Sequence, residues 1–270
     1  MSRSRGGPFT WWAVILAMSA DLSGRSTGTG HDGARAEFDQ FAVGYDAGMQ
    51  NVLKRLAAES ADDFAEIRAE WLLRYMRRIG SERPHGSRLL DFGCGAATFL
   101  KALRRLNYVG ELFGCDASSG MIQEAKRTWK TGTLPDLVVQ QGDRLPYRSE
   151  CFDIAVAGAV VHHIPRTERR RWFDELYRVL RPGGHCVIFE HNPWNLVTRW
   201  VVSRTPIDAK AILLSQREAI GALREAGFEA ISAAALLFFP PRFKFLRRVE
   251  RWLARVPLGG QYVVVGRRSA

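Results

Sequence analysis

The apolar positions of this chain change rhythm as it runs. From Ala34 to Ala58 they recur as Phe38, Phe41, Ala42 and Tyr45, the i, i+3, i+4, i+7 spacing of one helix face. From Asp62 to Ile79 they recur as Phe64, Ile67, Trp71, Leu72, Tyr75 and Met76. Gly80, Pro84 and Gly86 end that rhythm. Beyond them, short apolar runs alternate with helical stretches. Arg88–Phe92, Glu111–Cys115, Asp136–Gln140, Phe152–Ala157 and His185–Glu190 predict strands; Thr98–Leu106, Ser119–Thr128 and Arg166–Leu180 predict helices. Such alternation implies a parallel sheet covered by helices on both faces. In the last third a helix at Gln216–Ala226 leads to a strand at Glu229–Phe239, a basic segment at Arg242–Arg255 and a final strand at Gln261–Gly266. That final strand reads as an antiparallel edge. The expected fold is α/β: a doubly wound, mostly parallel seven-stranded sheet with an antiparallel edge strand and an N-terminal helical cap. Three parts follow, an extension over 1–33, the cap over 34–80 and the main domain over 81–270.

In a doubly wound sheet, ligands sit beyond the carboxyl ends of the strands, so those ends carry the candidate chemistry. The first ends in Asp91-Phe-Gly93-Cys-Gly95 and runs into a helix. Glycines there admit backbone dihedrals closed to other residues and remove the Cβ that would block a ligand, while helix N–H groups face the same space. The second ends at Asp116, where a carboxylate can accept two hydrogen bonds from a ribose diol. The third ends in Gly142-Asp143-Arg144, a polar pair able to grip an adenine edge. The fourth leads through Ala157-Gly158-Ala159 to His162-His163, and the fifth ends in Glu190-His191-Asn192. Each alone is compatible with a capped turn; together, along one edge, they predict a nucleoside site.

Composition adds limits. Hydrophobic residues make up 46% and charged residues 25% of 270, which fits a globular chain. The net charge of +11, mostly from arginine, admits nucleic acid, anionic lipid or acidic metabolites as partners, although the arginines are scattered rather than clustered. Cys94, Cys115, Cys151 and Cys186 form no CxxC pair and lie in or beside predicted strands, which reads as buried, reduced thiols. His162 and His163 are adjacent, not i, i+4, so they make no helical metal pair and no metal site is expected. Arg3 and Arg5 before the apolar run Trp11–Ala20 look like a signal peptide, but the run is too short to span a bilayer. It reads instead as an extension, with Met18 an alternative start, residues 21–34 a flexible tail, and the location cytoplasmic.

The chain from about Leu89 to Ile188 resembles the class I S-adenosylmethionine-dependent methyltransferases, in particular the small-molecule group related to ubiquinone and menaquinone biosynthesis enzymes. The matching pieces are Leu90-Asp-Phe-Gly-Cys-Gly95, Gly114-Cys-Asp-Ala-Ser118 with Met121, Gly142-Asp143 with Leu145-Pro146, Phe152-Asp153, Val161-His-His163 and Glu175-Leu-Tyr-Arg-Val-Leu-Arg-Pro-Gly-Gly184. More loosely, Phe38-Asp39 and Tyr45-Asp46 look like the family's opening helix. The resemblance implies a Rossmann-like fold and S-adenosylmethionine as cofactor. It implies that Gly93 and Gly95 let the backbone approach the methionine part, that Asp91 orients its amino group and that Asp116, beside Ala117, binds the ribose. It further places Met121 near the adenine, Asp143 on the adenine amino group with the backbone of Arg144, Ala157 along the methionine side and Tyr45 over the carboxylate. Ala97 stands where the family often has glycine. Thr98 stands where a dinucleotide fingerprint has its third glycine, which disfavours an NAD-dependent oxidoreductase.

A sulfonium methyl is already activated, so the protein must align the reactants, exclude water and, for some acceptors, remove a proton. His162 and His191 are the candidate bases; His163, Glu190, Asn192 and Trp194 are expected to shape the acceptor pocket. The segment after strand four, Ala-Val-Val-His-His, lacks the Asn/Asp-Pro-Pro-aromatic signature of nucleic-acid amino methylation, so a small molecule is the expected acceptor. A catalytically idle cofactor-binding protein is the rival from another class. The apolar stripe Phe245, Val249, Trp252 and Leu253 of the basic segment is expected to pack on its own domain; the alternative is a peripheral contact of 242–255 with anionic membrane.

Overall fold

A computed structural model describes Asp39 and residues 61–80, 87–239 and 244–270. The extension, the helix expected over Ala34–Ala58 and Tyr45 within it lie outside the described residues, apart from Asp39. The elements in order are α1 (Ala61–Arg78), β1 (Arg88–Phe92), α2 (Thr98–Arg105), β2 (Glu111–Asp116), α3 (Ser119–Thr128), β3 (Asp136–Val139) and β4 (Phe152–Gly158). There follow α4 (Arg166–Val179), β5 (Leu180–His191), α5 (Leu196–Val202), α6 (Gln216–Glu225), β6 (Phe228–Leu236), α7 (Arg247–Leu253) and β7 (Gln261–Arg268). Short 3₁₀ turns at Val161–His163 and Pro206–Asp208 matter for the site.

The strands form one sheet in the order β3-β2-β1-β4-β5-β7-β6. β1 to β5 pair in parallel, whereas β7 runs antiparallel to both β5 and β6. The reversed strand therefore lies one place in from the β6 edge. Successive side chains point to opposite faces of a strand, and the core divides accordingly. Leu89, Val187 and Phe189 pack with Leu72, Met76, Leu100 and Leu103 on the α1–α2 face. Leu90 and Ile188 pack with Trp172, Phe173, Leu176 and Leu223 on the α4–α6 face. This is why the central strands read as continuous apolar runs rather than alternating ones.

Two departures from the sequence reading have physical causes. β5 begins at Leu180, not His185, because Leu180 pairs with Phe152 before the register shifts and resumes at Ile154 with His185. The basic segment resolves into a 3₁₀ turn at Lys244–Leu246 and the seven-residue α7, and its stripe does not pack inward: Phe245 is 73% and Trp252 88% exposed. All four cysteines are free and buried. No helix among the described residues is long and apolar enough to cross a membrane.

Candidate active site

The chain leaves β1 toward β2 and β3 on one side, then returns to β4 and β5 on the other. The crevice of this fold thus opens where β1 and β4 lie side by side. Gly93 fills that junction at φ +72°, and a Cβ there would lie 2.3 Å from a methyl of Val160, so the turns after β1 and β4 touch. Gly95, at φ +51°, has nothing within 4 Å of where its Cβ would stand. One glycine closes the turn; the other leaves room for a ligand. Ala97 also adopts a left-handed conformation, φ 59°, which a β-carbon tolerates at a cost of about 1 kcal/mol.

Two carboxylates face this space. Asp116 accepts the Gly95 N–H at 2.8 Å on one oxygen and the Ser118 N–H at 2.9 Å on the other. Burial pushes its pKa up and these two donors pull it back. Each oxygen keeps a lone pair, the arrangement a ribose diol requires. Asp91 is 3% exposed; burial and the nearby Asp116 raise its pKa to about 8, with Arg68 acting in the other direction. A buried carboxylate in that condition fits an incoming ammonium group. Arg68, which the sequence reading did not single out, reaches from α1 across the sheet. Its Nε donates to Gln261 Oε1 at 3.1 Å and a terminal nitrogen lies 3.3 Å from the Cβ position of Gly158. Its only signal in the sequence was a charged residue on an amphipathic helix.

Other expected cofactor contacts divide. Met121 is buried, its N–H capped by Ser118 Oγ, and Ala157 is wholly buried at the end of β4. Ala117 is half-buried beside Asp116. Asp143 and Arg144 are exposed: Asp143 pairs with Arg171 at 2.9 Å, and Arg144 lies 3.9 Å from Glu175. Asp39 accepts hydrogen bonds from Ser118 Oγ and the Gly120 N–H, at 2.6 and 3.0 Å, at the start of α3.

Beyond β4 and β5 the structure gathers a second cluster. Glu190, expected to line a pocket, is instead wholly buried beneath the 3₁₀ turn. One of its oxygens accepts the N–H groups of Val160, Val161 and His162, and the other lies 2.5 Å from His162 Nδ1. Burial opposes its ionisation, yet His162, with His191 and His163 behind it, holds it at about 2. His162 shows the converse: burial opposes its protonation, but Glu190 and Asp208 raise it to about 9. Both ring nitrogens are thus engaged and the ring carries its proton at neutral pH, so His162 is no free base. Asp208 comes from a turn 46 residues away, with one oxygen 3.4 Å from His162 Nε2 and 3.3 Å from His163 Nε2. His191, its ring 5.1 Å from that of His162, is lowered to about 4 by burial and by His162, and is neutral. Asn192 is spent on the backbone: its amide donates to the carbonyls of Pro257 and Gly259 and its oxygen takes the Trp194 N–H. That turn directs Trp194 outward, 72% exposed, so it does not line an enclosed pocket.

The sheet order, the glycines at the crevice and Asp116 beside them make this a Rossmann-like fold. Residues 90–188 match the methyltransferase domain family. Across 87% of this chain and 100% of the other, the fold superposes on a SAM-dependent methyltransferase from Thermotoga maritima, with a TM-score of 0.61 at 18% identity. The matched region is a class I S-adenosylmethionine-dependent methyltransferase domain, and S-adenosylmethionine is its cofactor. Among curated relatives, a tRNA (carboxymethyluridine(34)-5-O)-methyltransferase of Arabidopsis thaliana is 35% identical over 134 residues, covering 48% of this chain and 30% of that protein. A ubiquinone biosynthesis O-methyltransferase of Ruegeria pomeroyi is 29% identical over 177 residues, covering 61% of this chain and 69% of its own length.

Proposed function

We propose that this chain methylates a hydroxyl oxygen of a small molecule. S-adenosylmethionine supplies an electrophilic methyl on sulfur. In this reading Asp116 holds the ribose hydroxyls, Asp91 the methionine ammonium and Arg68 the methionine carboxylate, while Gly93 and Gly95 let the backbone come close. Met121 and Ala157 form apolar walls. His163 and Asp208 stand toward the acceptor hydroxyl, and the His162–Glu190 pair positions them.

The observation that carries this reading is the buried cluster of two histidines and two carboxylates. A carboxylate acceptor is already ionised at neutral pH and needs no such group, whereas a hydroxyl must lose its proton as it reacts. A second reading, tRNA as acceptor, is favoured by the Arabidopsis relative and by the net charge of +11. The test is formation of S-adenosylhomocysteine with a panel of phenolic, sugar and lipid hydroxyl acceptors, run beside bulk tRNA. Turnover confined to hydroxyl-bearing small molecules is expected. Methyl transfer to tRNA alone would overturn the reading, and cofactor binding with no turnover on either set would make the chain an idle binder.

A further inference from the structure

The cluster beyond β4 and β5 brings three metal-type donor atoms together. His162 Nε2, His163 Nε2 and one carboxylate oxygen of Asp208 lie within 4.8 Å of one another. The two nitrogen–oxygen separations are 3.4 and 3.3 Å. Charge-assisted bonds of this type close to about 2.7–2.9 Å, and the neighbouring His162–Glu190 contact is shorter still, at 2.5 Å. By contrast, ligand bonds of about 2.1 Å at tetrahedral angles give donor–donor edges of roughly 3.4 Å. The third edge, between the two imidazoles, lies within the same 4.8 Å, and the partly exposed His163 ring is tilted 47° to its neighbour.

We infer that His162, His163 and Asp208 form a binding site for a divalent transition metal of the zinc class, the ion replacing the proton that His162 Nε2 carries in the metal-free chain, with a fourth position open toward the acceptor. Two imidazoles and one carboxylate are the donor set of sites that keep such a position for water or substrate. The residues around them fit the assignment. Glu190 bonds the far nitrogen, Nδ1, of His162, the outer carboxylate that fixes which ring nitrogen faces a metal. Glu190 in turn is held by three backbone N–H groups, so the ring is set before any ion arrives. The loop carrying Asp208 is tied to the same turn, since the Ile212 N–H donates to the His162 carbonyl at 2.8 Å. Arg169 bridges the Ile164 and Ile212 carbonyls. The ligands therefore come from two segments locked together.

This deepens the proposed function and rests on it only for the acceptor. Held by these three residues, an ion would lower the pKa of an acceptor hydroxyl at the open position, whose proton would pass to solvent. Metal binding itself is measured without any acceptor. The experiment strips the full chain with a chelator, then titrates Co²⁺, following visible d–d absorption and metal content by mass spectrometry, and repeats the titration with Zn²⁺ in competition. One ion per chain with the intense bands of a tetrahedral nitrogen–oxygen site is expected. His163→Gln and Asp208→Ala should weaken binding at least 100-fold, and Glu190→Gln, a positioning change, about 10–100-fold. Each variant is checked for S-adenosylmethionine binding by calorimetry, which shows that it is folded. Wild-type affinity no greater than that of a folded His163→Gln protein overturns the site. Full turnover of a hydroxyl acceptor by chelator-stripped protein overturns the role of the ion. Metal bound as expected, with no hydroxyl acceptor methylated, overturns the proposed acceptor class and leaves the site standing.

Discussion

Replacing Glu190 by glutamine tests whether the buried turn is held by an ion pair. The variant keeps one oxygen for the backbone donors of Val160, Val161 and His162 but removes the negative charge beside His162 Nδ1. The His162 pKa stands at about 9 in the fold against an ordinary 6.5, so the protonated ring stabilises the native state. At roughly 1.4 kcal/mol per pH unit this is worth about 3 kcal/mol, an upper bound for the variant because Asp208 supplies part of the shift. A raised pKa contributes fully below the unfolded value, near pH 6.5, and its contribution fades as pH rises through about 9. The Glu190 pKa is depressed, so its own contribution is present above pH 4.5 and fades toward pH 2. Urea unfolding of chelator-treated wild type and Glu190→Gln at pH 6 and pH 9.5 should thus give a gap of about 2–3 kcal/mol at the lower pH. At the higher pH the gap should narrow to about 1 kcal/mol, the worth of the remaining hydrogen bonds. A gap that stays constant between the two values would show that His162 carries no extra proton and would remove the ion pair from the account.

Two further predictions concern the cofactor half. Asp116→Ala strands the Gly95 and Ser118 donors as well as the ribose, and Arg68→Met removes the guanidinium above β4; each should weaken S-adenosylmethionine binding by about 1–3 kcal/mol in calorimetry. Gly93→Ala should lower the melting temperature and abolish cofactor binding, because its Cβ meets Val160 at 2.3 Å in a left-handed turn. Adding Val160→Ala should recover part of the stability, and no recovery would mean that the backbone conformation alone sets the cost.

The sheet was legible because burial on both faces leaves unbroken apolar runs: β1 spans Arg88–Phe92 and α3 spans Ser119–Thr128, as their patterns predict. α5 escaped because its Leu196 and Val197 face outward, 76% and 64% exposed, so no core-facing rhythm marks it. The places of Asp91, Gly93, Gly95 and Asp116 at one end of the sheet were readable since strand ends announce themselves locally. Asp208 was not: its partners are 46 residues away in the chain, and a Pro-Ile-Asp turn resembles any surface loop. Trp194 and Asn192 were misplaced for a related reason. The carbonyls that hold Asn192, those of Pro257 and Gly259, come from more than 60 residues further along the chain, and Trp194 follows it into solvent.

The meeting of Gly93 with Val160 separates two kinds of evolutionary freedom. The glycine turn and Asp116 stand on the β1–β2 side, whereas the histidine–carboxylate cluster and the loop from Asn192 to Leu214 stand on the other. Insertions or exchanges in that loop can reshape what enters without disturbing the ends of β1 and β2, provided Asp208 keeps its place against the histidines.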